Sequence, residues 1–565
     1  MRSYRSLTAA ALAILLSALA GGVFGRSALA TEDKLPDHYK TFTAALSAIQ
    51  ANYADKVEVD RLVYGAINGM LQTLDPHSSF MDPRTYAQMR ERQEGRYYGL
   101  GLTIQSVDGD ITAVRVFEGS PAFSSGIRRG DVIATVEGTS AKGWTTDQAV
   151  GRLRGPRGTA VGISLRRAGF DDLIELKVTR DQIHIPTVPA AFMLDATTGY
   201  IRVSDFGENT DDELGSALKT LTGKGMKRLV FDLRGNPGGA LDQAIKVSNR
   251  FLPRGDMIVY TRGRVQNSDQ DYRATEQSDY LRIPMVTLVN RSSASASEIV
   301  SGALQDHDRS LIVGETTFGK ALVQSVYRVN QNAGAAITTA RYYTPSGRLI
   351  QRPWDGTFDE YLTYTLREQD PSRSHKPEEL KYTDSGRKVY SGGGIEPDRR
   401  FDGPLLGFNP TKFGRALYAR NVFDTFSQRF SREGDKRIAQ SATTRPRNLT
   451  TGFEVSDAML TEFREHVTKT GMPIDDTAWQ ADLPFIKAMI RYEIDLDLFG
   501  LATASENLAK ADPQLQFAMS TFGEAEELFR LRAASPRRAA RLGSRRGFSL
   551  RSSVFGRQSW QMDCR

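Results

Sequence analysis

A buried strand that runs into a serine-rich turn and then a helix constrains this chain more than any other segment. Ile283-Pro-Met-Val-Thr-Leu-Val289 is a short apolar run rich in β-branched residues, bounded by Pro284 and Asn290, and it reads as a strand. Ser297 and Glu298 then open an apolar, helix-compatible stretch over residues 299–304. The same succession occurs upstream, where an apolar strand at 229–233 meets the turn Arg234-Gly-Asn-Pro-Gly-Gly-Ala240 and a helix-like stretch follows at 241–251. With further strands at 199–203 and 311–313, the alternation of strands and helices argues an α/β core.

Ser295 stands at the mouth of the second helix, in Asn290-Arg-Ser-Ser-Ala-Ser295-Ala296-Ser297-Glu298, and Lys320 follows in Gly314-Glu-Thr-Thr-Phe-Gly319-Lys320. A hydroxyl is a weak nucleophile near neutral pH and needs a neighbour to take its proton. Lysine does this only when neutral, and burial can lower its pKa from ~10.4 toward ~7–8. A serine at a strand-to-helix turn also lies near unpaired N–H groups and the positive end of the helix dipole, where an oxyanion is best stabilised. Taken singly, small residues at a helix start are ordinary caps, and the glycine loop at 235–239 is only a turn.

Together these segments resemble the carboxyl-terminal processing peptidases, or tail-specific proteases, which are serine endopeptidases with a Ser/Lys dyad. The resemblance covers roughly residues 39–398 and rests on Leu74-Asp-Pro-His-Ser-Ser79, Gly119-Ser-Pro-Ala122, Leu153-Arg-Gly-Pro156, 232–239, 293–299, 314–324, Thr338-Thr-Ala-Arg-Tyr-Tyr-Thr-Pro-Ser-Gly-Arg348 and Gly394-Ile-Glu-Pro-Asp398. It implies Ser295 as nucleophile, Lys320 as general base and Gln324 as the residue that positions the lysine. Ala296 and Gly239 match the backbone oxyanion donors, with Gly238 as the neighbouring candidate. The implied core is crotonase-like, with the active site between it and mobile flanking elements.

Other chemistries fit poorly. The chain has one cysteine, Cys564, so neither a disulfide framework nor a buried catalytic thiol is expected. Its six histidines, His38, His77, His184, His307, His375 and His466, form no metal-ligand spacing, so no metal and no cofactor is expected. His307 would lie roughly three turns along the helix from Ser295, which leaves it as a surface histidine rather than a triad member. A Ser-x-x-Lys acylase needs lysine one turn after the serine, where Glu298 stands.

The first residues read as an address. A basic start, an apolar run at 7–24 and Ala28-Leu29-Ala30 suggest a signal peptide over 1–30, with an uncleaved membrane anchor as the alternative. Export to a bacterial periplasm or cell envelope follows from this. The net charge of +7 is carried entirely by residues 536–565, which hold eight arginines against one aspartate. The rest is neutral and offers no basic face for nucleic acid. The tail has low hydrophobicity and no clear period and is expected to be disordered.

Between these ends the chain divides into an N-terminal helical domain (39–95), a PDZ-like domain (96–181), an α/β serine peptidase core (182–400) and a helical C-terminal extension (401–535). The expected fold class is thus multidomain α/β. The PDZ resemblance rests on Gly99, Leu100, Gly101 and Leu102, on Gly119-Ser-Pro-Ala122, on Gly126-Ile-Arg-Arg-Gly-Asp-Val-Ile133 and on Gly155-Pro-Arg-Gly158. In that fold, glycine-loop amides hold a peptide's terminal carboxylate while the peptide adds as a strand. Leu100 and Leu102 would line the pocket for the last side chain, so the expected partners are polypeptides with apolar C-terminal tails. The extension is open to dimerising the protein, docking an adaptor or capping the core. A PDZ-bearing scaffold that binds tails without cutting them is the rival function, and it would have no need of the Ser295, Lys320 and Gln324 set.

Overall fold

The computed structural model describes residues 35–167, 170–265, 267–330, 332–354, 360–361, 363–366, 374–432 and 447–534. The leader read at 1–30 and the basic tail read at 536–565 lie outside the described residues. The chain forms two compact units, Met1–Asp82 and Pro83–Arg565.

In the first unit, helices α1 (Leu35–Asn52) and α2 (Val59–Gln72) precede a short strand, β1 (Ser79–Met81). The corner between α2 and β1 is built by Asp75, whose carboxylate accepts from the amides of His77 and Ser78 and from the Ser78 hydroxyl at 2.7–2.8 Å.

The second unit opens with α3 (Pro83–Glu94) and a two-stranded antiparallel ribbon of β2 (Arg96–Gly99) and β8 (Asp181–His184). Between them β3 (Leu102–Val107), β4 (Asp110–Val116), β5 (Val132–Val136), β6 (Ala160–Arg166) and β7 (Ile174–Thr179) pair antiparallel in that order. A short helix, α4 (Pro121–Ser124), and α5 (Thr146–Leu153) complete this part. Ile111, Ile127, Ile133, Val161 and Leu165 fill its interior. Strand β3 is one edge of the sheet, the other being β7.

The next part has a six-stranded sheet in the order β9 (Ala190–Met193), β10 (Thr198–Arg202), β11 (Arg228–Asp232), β14 (Met285–Val289), β15 (Leu311–Gly314) and β18 (Arg399–Arg400). All pairs are parallel except β9 with β10. Helices α6 (Thr210–Gly223), α7 (Leu241–Asn249) and α8 (Ala296–Asp306) lie on one face. An antiparallel sheet of β16 (Leu322–Arg328), β17 (Gly334–Tyr343), β12 (Met257–Arg262) and β13 (Gln270–Arg273) stands beside it.

Every residue of β14 is buried, as a parallel strand covered on both faces demands. Alternation sorts its side chains: Met285 and Val289 face the helices, while Val286 and Leu288 face away. That second face is covered by the C-terminal extension. After α9 (Lys412–Ala419), α10 (Val422–Ser427), α11 (Asp457–Lys469) and α12 (Asp476–Ala511) have packed an aromatic core of their own, α13 (Pro513–Ser520) and α14 (Phe522–Ala534) return to the sheet. Leu515, Ala518, Phe522 and Leu528 cover Val230, Val286, Leu288 and Val313. Of the roles open to the extension, capping the core is the one its last two helices fill.

The extension also grips the antiparallel domain. Arg129 is ion-paired to Asp424 of α10 and, at 2.5 and 3.4 Å, to Glu493 and Asp497 of α12. Helix α12 breaks at Gly500, whose φ of 86° and ψ of 169° leave the helical region.

Sequence reasoning placed His307 on the surface, and the structure corrects this. It caps the C-terminal end of α8 at 3% exposure, with its ring nitrogens bonded to Asp384 and to the Met257 carbonyl. The last turn of α8 is covered by the connections around it, which helical periodicity alone does not reveal.

Leu515→Ala is expected to cost roughly 2–5 kcal/mol, because a fully buried side chain leaves a cavity against the sheet. Denaturant midpoints of the two proteins measure it.

Candidate active site

Ser295 occupies the junction of β14 and α8 with φ 53° and ψ −111°, a conformation that costs a non-glycine residue of order 1–3 kcal/mol. The surrounding bonds hold it there. Its amide donates to Glu298 Oε2 at 2.9 Å, and its carbonyl accepts from the amides of Glu298 and Ile299 and from Tyr342 Oη at 3.1 Å.

Glu298 has no solvent exposure and accepts from two segments at once. Beside the Ser295 amide, it takes the amides of Gly319 (2.7 Å) and Lys320 (2.9 Å) and the Thr317 hydroxyl (2.5 Å). The main chains of Ser295 and Lys320 therefore hang from a single carboxylate. Tyr342 repeats the link, since its one hydroxyl proton lies between the Lys320 carbonyl, at 2.5 Å, and the Ser295 carbonyl. Lys320 Nζ donates to Gln324 Oε1 at 3.1 Å, and Gln324 sits where the pairing of β16 with β17 shifts register. Burial pushes the Glu298 carboxyl up to about 7, against the opposing pull of its hydrogen bonds.

The glycine loop after β11 is pressed against the serine turn. Asn236 accepts from the Gly238 amide at 2.8 Å through its side chain, and its carbonyl takes the Ala294 amide and the Ser297 hydroxyl. A Cβ on Gly238 would stand 2.8 Å from Ser295 Cβ and 2.7 Å from the Ala294 carbonyl oxygen, so only glycine fits. Gly239 bridges Phe206 in parallel: Phe206 donates to the Gly238 carbonyl and Ala240 donates to the Phe206 carbonyl. The Gly238 amide is thus engaged by Asn236, while the amides of Gly239 and Ala296 have no acceptor among the described residues.

Behind the loop, Arg234 is bound to Asp232 at 2.6 Å, Asp512 at 2.7 Å and Gln514 at 2.9 Å. Tyr200 donates to the same Asp232 carboxylate at 2.6 Å. The extension thereby braces the loop beside Ser295.

The residues read as tail-binding lie apart from this cluster, in the antiparallel domain. Gly99 ends β2 and Leu102 begins β3. Gly101 has φ 81°, and its carbonyl accepts from the Phe117 amide and the Ser120 hydroxyl. Leu100, at 3% exposure, belongs to the domain interior, which leaves Leu102, half-buried at the sheet edge, as the more accessible of the two. Helix α5 borders that edge, where Thr146 accepts from the Ser106 amide.

Residues 197–357 match peptidase family S41, residues 88–165 match the PDZ domain, and residues 24–85 match the N-terminal domain of the activating protease CtpB. A carboxy-terminal-processing protease of Bartonella bacilliformis is 40% identical over 307 residues, 54% of this chain and 70% of that protein. The chain belongs to this protease family. The carboxy-terminal processing protease CtpA of Bacillus subtilis is 36% identical over 58% of this chain and 70% of its own length. Among solved structures, the photosystem II D1 C-terminal processing protease is 29% identical with a TM-score of 0.34, covering 65% of this chain and 93% of that one. The protein is thus a serine-type peptidase that carries a PDZ domain.

Sequence reasoning named Glu298 only as a helix opener and missed its bonds to both turns. The signal was present, since an acidic residue three positions after a helix cap bonds back to the cap's amide. The reach to Gly319 and Lys320 had no local signal. Tyr342 and Asn236 were missed for the same reason. Among the described residues no His, Cys, Asp and Glu group has the arrangement of a metal site.

A carboxyl whose folded pKa is raised favours the fold in its neutral form. Its contribution is full below about pH 4.5 and is lost as pH rises through about 7. Glu298→Gln should therefore remove a fall of roughly 3 kcal/mol between pH 4.5 and 8, read as the wild-type minus variant difference in unfolding free energy. It should also lower peptidase activity, because the amide nitrogen of Gln cannot accept from these donors.

Proposed function

We propose that the protease cleaves polypeptides chosen by their C-terminal tails, using Ser295 as nucleophile and Lys320 as base. The observation that carries this is the double suspension of the Ser295 and Lys320 backbones from Glu298 and Tyr342, with Gln324 holding the lysine amine.

Neutral Lys320 takes the hydroxyl proton as Ser295 Oγ attacks the scissile carbonyl. The tetrahedral oxygen is held by the amides of Ala296 and Gly239, which have no acceptor among the described residues, while Gly238 supplies the close approach. Lys320 returns the proton to the departing amine, leaving an acyl-enzyme. Water then attacks the acyl carbon and gives its proton to Lys320, which passes it to the departing Ser295 oxygen as the new carboxyl end leaves. The core that carries these steps is crotonase-like, and the domain limits are those given by the sequence.

An apolar tail adds as a strand along β3 beside α5, with its carboxylate at the loop of Gly99, Leu100, Gly101 and Leu102. Residues 1–30 send the protein to the bacterial periplasm or envelope, where its substrates are exported or unfolded chains. Among the described residues no helix is long and apolar enough to cross a membrane. A scaffold that binds tails without cutting them is disfavoured by the Ser295, Lys320 and Gln324 set.

Ser295→Ala should abolish cleavage of an unfolded reporter with an apolar C-terminus while leaving tail binding within about twofold, measured by mass spectrometry and anisotropy. The wild-type kcat/KM should rise with pH as the lysine loses its proton, and Lys320→Arg should be inactive throughout. A pH profile unchanged in Lys320→Arg would exclude the dyad.

A further inference from the structure

A cavity of about 580 Å³ lies where the PDZ part, the peptidase sheet and the C-terminal extension meet. It falls within the ~300–1,000 Å³ of sites that enclose small ligands. Phe117 and Phe123 contribute one wall, Pro186 and Pro189 a second, Phe430 and Phe499 a third. It is separate from the edge of β3 and from Ser295, neither of which lines it.

The charges inside do not cancel. Asp131 is committed to Arg167 at 2.6 Å, and Asp497 is committed with Asp424 and Glu493 to Arg129. His184 is paired with Glu213. Glu118, the remaining lining carboxylate, is turned to the helix break, with Oε2 2.6 Å from where a Cβ on Gly500 would be. The guanidinium groups of Arg202, half-buried at the end of β10, and of Arg115, exposed near the end of β4 and lying over the Phe117 ring at 5.2 Å, make no hydrogen bond or ion pair with any described residue. Tyr492 also lines the cavity; burial and then the Glu493 carboxylate push its hydroxyl up, against the smaller opposing fields of Arg202 and Arg115. Arg202 reaches to 3.9 Å from the Cβ position of Gly235, at the start of the loop braced against Ser295.

We propose that this cavity is a second receptor for a polypeptide's free C-terminus. Arg202 and Arg115 hold the terminal carboxylate beside the Tyr492 hydroxyl, and the aromatic and prolyl walls take the last apolar side chains. The assignment rests on the reading that this protease handles polypeptide tails. Charge complementarity calls for an anion, and the apolar walls call for a body that is not merely an ion. Ser204, Gln428 and Ser505 in the lining provide partners for peptide amides, which an alkyl chain would not need. Three separate parts of the chain build the site, so an occupant would favour the arrangement in which they are closed together.

The test uses the full chain carrying Ser295→Ala and an N-terminally labelled decapeptide with three apolar C-terminal residues, as free acid and as amide. Calorimetric titration should give two sites per chain for the acid. Leu102→Asp should remove the one at the β3 edge. Arg115→Met with Arg202→Met should weaken the other at least tenfold, as should amidation, while Arg202→Lys retains it within a few-fold and serves if the double variant misfolds. A single site abolished by Leu102→Asp, an affinity indifferent to the arginines, or arginine-dependent binding of dodecanoate without binding of the peptide would each overturn the proposal. No cleavage enters this measurement, so absence of Ser295-dependent proteolysis in the parent protein would defeat the catalytic reading separately.

Discussion

One carboxylate without access to solvent holds both halves of the site in place. Glu298 accepts from Ser295 on the turn before α8 and from Gly319 and Lys320 on the turn before β16. Two segments remote in sequence thus share one acceptor. Burying a carboxyl is costly unless donors surround it, and here four donors do. The arrangement also offsets the unfavourable backbone of Ser295, because the bond that fixes its amide is one that the Glu298 carboxylate must make to remain satisfied. Side-chain position at Ser295 and Lys320 is therefore inherited from main-chain geometry, which packing defines more tightly than a flexible lysine stem can.

The C-terminal extension belongs to the same construction. The parallel sheet has two apolar faces, and the helices between its strands cover only one. Without α13 and α14 the other face, with Val230, Val286 and Leu288, would meet water. The turn that starts α13 also sends Asp512 and Gln514 to Arg234, so the element that closes the sheet stiffens the loop beside the serine. Earlier in its course the extension surrounds Arg129 of the PDZ part with three carboxylates. One cation serves three acids, and burial pushes the carboxyl of Asp424 up to about 6 despite the arginine.

What the sequence made legible was local. The strand over 285–289, the glycine loop and the helix after Ser295 each carry a pattern of period, turn residue or cap, and the structure has them within a few residues. What stayed hidden was set by contacts distant along the chain. Nothing near Glu298 announces Lys320, nothing near Arg234 announces Asp512, and the helical period of α8 says nothing of the Asp384 segment that buries His307. The helices of the extension were legible as helices, but their partner was not, because an apolar stripe does not say which face it covers.

Gly238 shows why the site tolerates so little change. Its carbonyl anchors Phe206, its amide is held by Asn236, and a Cβ at its position would collide with the Ser295 side chain and the Ala294 carbonyl. Both of its backbone groups are spent on keeping the loop against the serine turn. Among the described residues the amide of Gly239 has no acceptor, because Gly239 presents its other edge to Phe206. Gly238 gives both of its backbone groups to the loop while the Gly239 amide has none of the described residues as acceptor, and the pair must be two glycines because φ is 100° at one and 148° at the other.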